Sequence, residues 1–291
     1  MCGITGFFVK NNSGISKKNL TNATAHIHHR GPDSEGYFTK TINGTQQIAN
    51  NDSEITNYEP LKIGIGFKRL SILDVEKGSQ PFISPDGRYI AFFNGEIYNY
   101  KELKRDLENW DFKTSSDGEI IIPLYKKYGT SFTNKLNGMF AICIYDTKLD
   151  ELILIRDQIG IKPLYIYEDE GIFAFSSEIK SLLEIESVEK RMNREAIYNY
   201  LTFQNIFGKQ TLFKNIELME NGTVIHFAKN QRKDLSYWSY SDNDLNMKYS
   251  KNDLIEHLTK AVSSQLISDV PIGTYLSSGI DTSTITSLAN Q

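Results

Sequence analysis

A cysteine stands directly after the initiator methionine, in Met1-Cys2-Gly3-Ile4-Thr5-Gly6. The second residue is small, so removal of Met1 is expected. Cys2 would then carry a thiol and a free α-amine, with ordinary pKa values of roughly 8.5 and 8. The amine can serve as general base for its own side chain, and no histidine is required. A frayed terminus with an incidental cysteine would look the same over six residues. The rest of the chain decides between the two.

Three further places carry suitable chemistry. Asn94-Gly95 offers a side-chain amide and a backbone N–H that can point at one spot, as an oxyanion hole does; Asn-Gly is equally a hairpin signal. Arg69 interrupts the apolar stretch from Ile63 to Ile72, either as a solvated edge charge or as a bidentate clamp on a carboxylate. Asp117, in Thr114-Ser115-Ser116-Asp117-Gly118-Glu119, is a candidate for a ligand ammonium or a plain helix cap. Arg30, before the Gly31-Pro32-Asp33 turn, reads as a structural ion-pair partner, and Cys143, between Ile142 and Ile144, as a buried small apolar residue. Near the end, the apolar run Val270 to Leu276 enters Ser277-Ser278-Gly279-Ile280-Asp281-Thr282-Ser283 and then a helical stretch. Strand, small-residue loop and helix together make a phosphate cradle, or a capped strand–turn–helix. It is not a Walker loop, since no Gly-Lys-Ser/Thr follows.

The elements that must position these residues are many and short. Strands are expected at 4–9, through Arg69, at 89–93, 136–146, 152–156 and 172–177. Helices are expected at 17–29, 100–109, 120–128 and 178–183. This is a layered α+β domain over residues 1–185. Residues 186–250 read as a linker region, with a helix at 194–203 and a strand near 223–228. Residues 251–291 begin a second unit, with Leu254, Leu258, Val262 and Leu266 at helical spacing.

Composition bounds the function. The chain has 291 residues, 40% hydrophobic and 23% charged, as a globular protein does. A net charge of −4 gives no footprint for nucleic acid or anionic membrane. Two cysteines make no disulfide framework, and no apolar run spans a bilayer or forms a signal peptide. A cytoplasmic location is the expectation.

Taken in order, these runs resemble the class II (N-terminal nucleophile) glutamine amidotransferases, and among them the glutamine-hydrolysing asparagine synthetases. The runs are Met1-Cys2-Gly3-Ile4, Arg30-Gly31-Pro32-Asp33, Arg69-Leu70-Ser71-Ile72, Asn94-Gly95-Glu96-Ile97-Tyr98-Asn99, Ser116-Asp117-Gly118-Glu119, Leu136 to Ala141, Arg156-Asp157, Gly160 to Tyr165 and Ser176-Ser177-Glu178. The resemblance implies a four-layer αββα sandwich of the Ntn hydrolase type, followed by the start of an α/β PP-loop domain. It implies Cys2 as nucleophile, Asn94 and Gly95 as oxyanion hole, and Arg69, Leu70, Ile72, Asn94, Glu96 and Asp117 as the glutamine site. Glutamine hydrolysis itself needs no cofactor.

In the relatives a second domain uses ATP and Mg²⁺ to activate aspartate. The resemblance places Leu276, Ser277, Ser278, Gly279, Asp281 and Thr282 on ATP, with Asp281 toward Mg²⁺. The usual loop is Ser-Gly-Gly-x-Asp-Ser, so Ser278 adds a Cβ where a phosphate should approach. The relatives continue well past this loop, so the chain reads as truncated within the synthetase domain, with residues after about 250 poorly anchored. A separate synthetase polypeptide and a homodimer are among the partners this allows. An amidotransferase acting on another carboxylate, such as a sugar acid in a surface glycan, is the alternative. A non-catalytic glutamine-binding or scaffolding subunit is the second.

Overall fold

Strand β1 (Gly3–Val9) shows how the layers form. Successive side chains of a strand point to opposite faces. Ile4 and Phe8 lie in one apolar cluster, and Phe7 and Val9 in another. The first cluster also takes Ile63, Ile65 and Phe67 of β4 (Leu61–Arg69), Ile90 and Phe92 of β6 (Tyr89–Ile97) and Cys143 and Tyr145 of β7 (Gly138–Asp146). It fills the space between two sheets. The second contains Leu20 and Ala23 of α1 (Lys17–Ala25) and Leu182 of α4 (Ile179–Leu182), which cover the outer face of the first sheet. A third holds Ala91, Phe93 and Ile97 against Leu103 of α2 (Tyr100–Arg105) and Ile121, Ile122 and Leu124 of α3 (Ile121–Tyr128). The result is helix, sheet, sheet, helix.

The computed structural model describes residues 1–11, 13–56, 59–108, 110–240 and 250–290. Both sheets are antiparallel. The remaining strands are β2 (Ser34–Thr41), β3 (Gln46–Ala49), β5 (Phe82–Ile83), β8 (Glu151–Arg156), β9 (Tyr165–Glu168), β10 (Ile172–Ser176), β11 (Ile216–Leu218), β12 (Thr223–Ala228) and β13 (Gln231–Ser236). The seven-stranded sheet runs β11-β9-β10-β1-β4-β2-β3, and the six-stranded sheet β13-β12-β8-β7-β6-β5.

Three expectations change. The region read as a linker from 186 to 250 supplies strands to both sheets: β11 pairs with β9, and β12 with β8 and β13. The sandwich therefore continues to Ser236, past the expected boundary at 185. Ile216, Val224, Ile225 and Phe227 are buried, and their burial completes sheet edges that strands before 185 leave open. Residues 241–249 of that region lie outside the described residues. Second, no strand forms over 270–276, where Tyr275 is fully exposed and Ile272 and Leu276 are largely so. An extended segment needs a neighbouring strand to satisfy its N–H and C=O groups, and none lies beside it. Third, α6 (Lys251–Ser264) carries a full capping box from Ser250 and Asp253, yet Leu254, Leu258 and Leu266 stay exposed. The segment after it does touch the sandwich: Ile267 packs on the outer core. Helix α7 (Ile280–Ala289) closes the described chain.

Candidate active site

The alternation that builds the inter-sheet core also builds the site. In β1 the inward positions are Ile4 and Phe8, and Cys2 precedes them in the same phase. In β4, Arg69 continues Ile63, Ile65 and Phe67; in β6, Asn94 and Glu96 continue Ile90 and Phe92. The apolar layer thus ends in a thiol, a guanidinium, an amide and a carboxylate. These come from two sheets and meet at one end of the sandwich.

Cys2 packs against the inter-sheet core, and its Sγ receives the Leu70 N–H at 3.3 Å. Arg30 Nε donates to the Cys2 carbonyl at 2.9 Å while Nη1 pairs with Glu178 at 3.1 Å, so the residue read as structural holds the terminus directly. Ser177 Oγ accepts the Ile4 N–H at 3.0 Å and fixes the start of β1. Burial pushes the Cys2 thiol above its ordinary value, against the opposing pull of the Leu70 N–H. Burial also lowers the α-amine, here that of Met1. Both shifts have the same cause, burial at the mouth of the sandwich, and both favour the uncharged form.

The Asn-Gly pair is not a hairpin. Strand β6 runs straight through it, with Asn94 opposite Ala141 and Gly95 opposite Phe140 in β7. A Cβ at Gly95 would run into the Met139 carbonyl, so only glycine permits this close pairing. Asn94 is completely buried, and neither Oδ1 nor Nδ2 has a hydrogen-bond partner. Such a group costs about 1–3 kcal/mol. A fold tolerates that cost where the group is reserved for a ligand.

A cleft of about 30 Å³ is lined by Cys2, Arg69, Leu70, Ile72, Gly95, Glu96 and Asp117, with Leu73, Gly78, Gln80, Phe93 and Ser116. All the residues expected at a glutamine site are among them except Asn94, which lies between lining residues Phe93 and Gly95. Arg69 is buried and donates to the carbonyls of Leu73 at 2.9 Å, Asp74 at 2.7 Å and Val75 at 3.1 Å. It is no solvated edge charge, and it shapes the loop over the cleft as well as charging it. Asp117 does cap a short turn by accepting the Gly118 N–H at 2.9 Å, but its other oxygen takes the Ile97 N–H at 2.7 Å across to β6. The capping residue thus also lines the cleft. Burial raises the pKa of Asp117, and burial together with the Asp117 charge raises that of Glu96.

Several contributors escaped the sequence reading. Gln80 grips Phe93 with both ends of its amide, at 2.7 and 2.9 Å, and so aligns the loop before β5 with the strand that carries Asn94. Gly78 leaves room for the Arg69 guanidinium. Lys162 is buried, and its charge acts on Glu96 and Cys2. It lies in the quoted Gly160 to Tyr165 run, which was the available signal; Gln80 had none. Cys143 is fully buried and far up the inter-sheet core.

The residues proposed for ATP are placed differently. Ser277 Oγ and Thr282 Oγ1 lie 2.9 Å apart, and Thr282 also donates to the Ser277 and Gly279 carbonyls at 3.1 Å each. Leu276, Ser278 and Asp281 are exposed beside them. Ser278 has no positive φ, so its Cβ brings no backbone strain. Among the described residues no three His, Cys, Asp or Glu side chains come together to hold a metal. Hydroxyls and the amino end of a ten-residue helix fit one side of a polyphosphate.

This architecture is an αββα sandwich of the Ntn hydrolase type, with the Cys2 thiol at its mouth. The glutamine amidotransferase domain family matches residues 1–238, and the chain belongs to it. Residues 253–291 match the asparagine synthase family. The chain is 36% identical over 312 residues to asparagine synthetase [glutamine-hydrolyzing] 2 of Bacillus subtilis, covering 99% of this chain and 38% of that protein. It is 34% identical over 306 residues to putative asparagine synthetase [glutamine-hydrolyzing] 2 of Methanocaldococcus jannaschii, covering 98% and 56%. Against asparagine synthetase B of Escherichia coli K12 the identity is 31% over 294 residues, covering 100% and 45%. The chain thus spans about half the length of the curated relatives it matches. Among solved structures, glutamine phosphoribosylpyrophosphate amidotransferase of B. subtilis superposes with a TM-score of 0.59 at 18% identity, over 99% of this chain and 64% of that one. This shows the shared fold. Among the described residues no helix is long and apolar enough to cross a membrane.

Proposed function

We propose that the chain hydrolyses glutamine to glutamate and ammonia at Cys2, and that the ammonia feeds ATP-dependent conversion of aspartate to asparagine in a longer protein or assembly. The observation that carries the reading is Asn94: a buried amide with both polar atoms unpartnered, on the inward face of one sheet at the end where Cys2 extends the inward face of the other.

With Met1 removed, the thiol proton passes to the Cys2 α-amine as sulfur attacks the glutamine Cδ. The carbonyl oxygen becomes an oxyanion, stabilised by Asn94 Nδ2 and the Gly95 N–H. Collapse of the intermediate breaks the C–N bond, and the amine returns its proton to the leaving nitrogen as ammonia departs. Water then attacks the thioester, releases glutamate and restores the thiol. Arg69 holds the substrate α-carboxylate, Asp117 and Glu96 its α-ammonium, and Leu70 and Ile72 its flank. A bound ammonium would lower the pKa of the acidic pair and draw both toward the charged form.

For the second half-reaction, Leu276, Ser277, Ser278, Gly279 and Thr282 would hold the ATP phosphates, with Asp281 toward Mg²⁺. ATP supplies the activation of the acceptor carboxylate. The test is glutamate release from glutamine by the purified chain without ATP or aspartate, beside Cys2→Ala. Release by the wild type alone supports the reading. No release from folded chain lacking Met1, as verified by mass spectrometry, refutes it.

A further inference from the structure

The segment that follows α6 meets the sandwich at the wall of the cleft. Ile267 packs on the outer core, and two residues later Asp269 makes two hydrogen bonds with the loop after β4. Its N–H donates to the Ile72 carbonyl at 3.0 Å, and its Oδ2 accepts the Asp74 N–H at 2.7 Å. Ile72 and Leu73 line the cleft. Asp74 is a junction. Its φ is 49°, its carbonyl is held by Arg69, and its carboxylate accepts the N–H of Ser115 at 2.7 Å and of Lys77 at 3.1 Å. Ser116 and Asp117 follow at once and line the opposite wall. Asp74 therefore ties the Arg69 side of the cleft to the Asp117 side, and its own N–H is tied to Asp269.

We propose that Asp269 is a positioning residue that sets the glutamine cleft from the downstream segment. The inference rests on the glutamine reading of the cleft. A charged acceptor on a backbone N–H is a strong, directional tie. The contact is solvent-exposed, with Asp269 exposed and Asp74 half-buried, so water can replace the bond and the fold does not depend on it. Without the tie the loop over Cys2 samples other positions. The cleft is then complete in only a fraction of molecules, and apparent substrate affinity falls by that fraction. Asp269 lies shortly before Ser277-Ser278-Gly279, so displacement of that segment is transmitted to the cleft through the same contact.

The test uses the full chain with Asp269→Ala and Asp269→Asn. Asp269→Ala should raise KM for glutamine about three- to tenfold, the worth of one hydrogen bond, with kcat within about twofold and the melting temperature unchanged. Asp269→Asn keeps an oxygen acceptor and should recover most of the loss. An unchanged KM in Asp269→Ala, or equal losses in both variants with a lowered melting temperature, overturns the proposal. Alkylation of Cys2 by iodoacetamide reads the loop without glutamine, because Leu70 covers the sulfur. Faster alkylation of Asp269→Ala supports the positioning role even if no variant, wild type included, releases glutamate, an outcome that would refute only the glutaminase reading. Equal alkylation rates overturn the positioning role itself.

Discussion

Truncating Asn94 should move stability and catalysis independently. Asn94 is completely buried with both amide atoms unpaired, so the resting fold bears a desolvation cost of about 1–3 kcal/mol. Asn94→Ala removes that cost and leaves a hole worth on the order of 1–2 kcal/mol. The two nearly cancel, so stability should stay within about 1 kcal/mol of wild type, or a melting shift of roughly 2–4 °C at most. Catalysis loses an oxyanion donor, worth about 10²–10³ in kcat. The ground-state carbonyl gains little from that donor, so KM should change little. The assay is glutamate release at saturating glutamine, with thermal denaturation on the same preparation. A kcat within tenfold of wild type, or a stability loss beyond about 2 kcal/mol, would show that Asn94 packs the sandwich and does no chemistry.

Other consequences follow from the same cleft. Burial raises the pKa values of Glu96 and Asp117, and the Asp117 charge adds to the rise at Glu96, so the native state binds more protons than the unfolded chain above the ordinary carboxylate range. The pair's contribution to stability should be fully present at or below those ordinary values and be lost as pH rises through the folded ones. Glu96→Gln should flatten this decline and match wild type near pH 4 by thermal denaturation. A steeper decline in the variant would contradict the assignment. Arg69→Met loses both the carboxylate partner and three loop carbonyl contacts, so KM for glutamine should rise roughly 10- to 100-fold; an unchanged KM would place the carboxylate elsewhere. Cys143→Ser buries a hydroxyl among apolar neighbours, which should cost about 1–3 kcal/mol by denaturant titration and leave kcat as it was. A loss of kcat there would show that the second cysteine is not a packing residue.

The candidates for chemistry were legible in the chain because they are local: Cys2 behind Met1, Asn94 before Gly95, and Asp117 among capping residues stand out by type and neighbour. The layering followed from the succession of many short strands and a few helices.

Tertiary structure decided what depends on distant partners. That Asn94-Gly95 lies mid-strand and not in a turn required β7 alongside it. The strand at 223–228 was expected, but not its neighbours at 216–218 and 231–236 or their joining the sandwich, because short, polar-edged strands gain their identity from the sheets they join. The apolar run 270–276 looked like a strand and is not one, for want of a partner. Gln80 and Asp269 carry no signal of their own. Each matters only because the fold brings it to a backbone group far away in sequence, and hydrogen-bond partners across such separations follow from packing, not from composition.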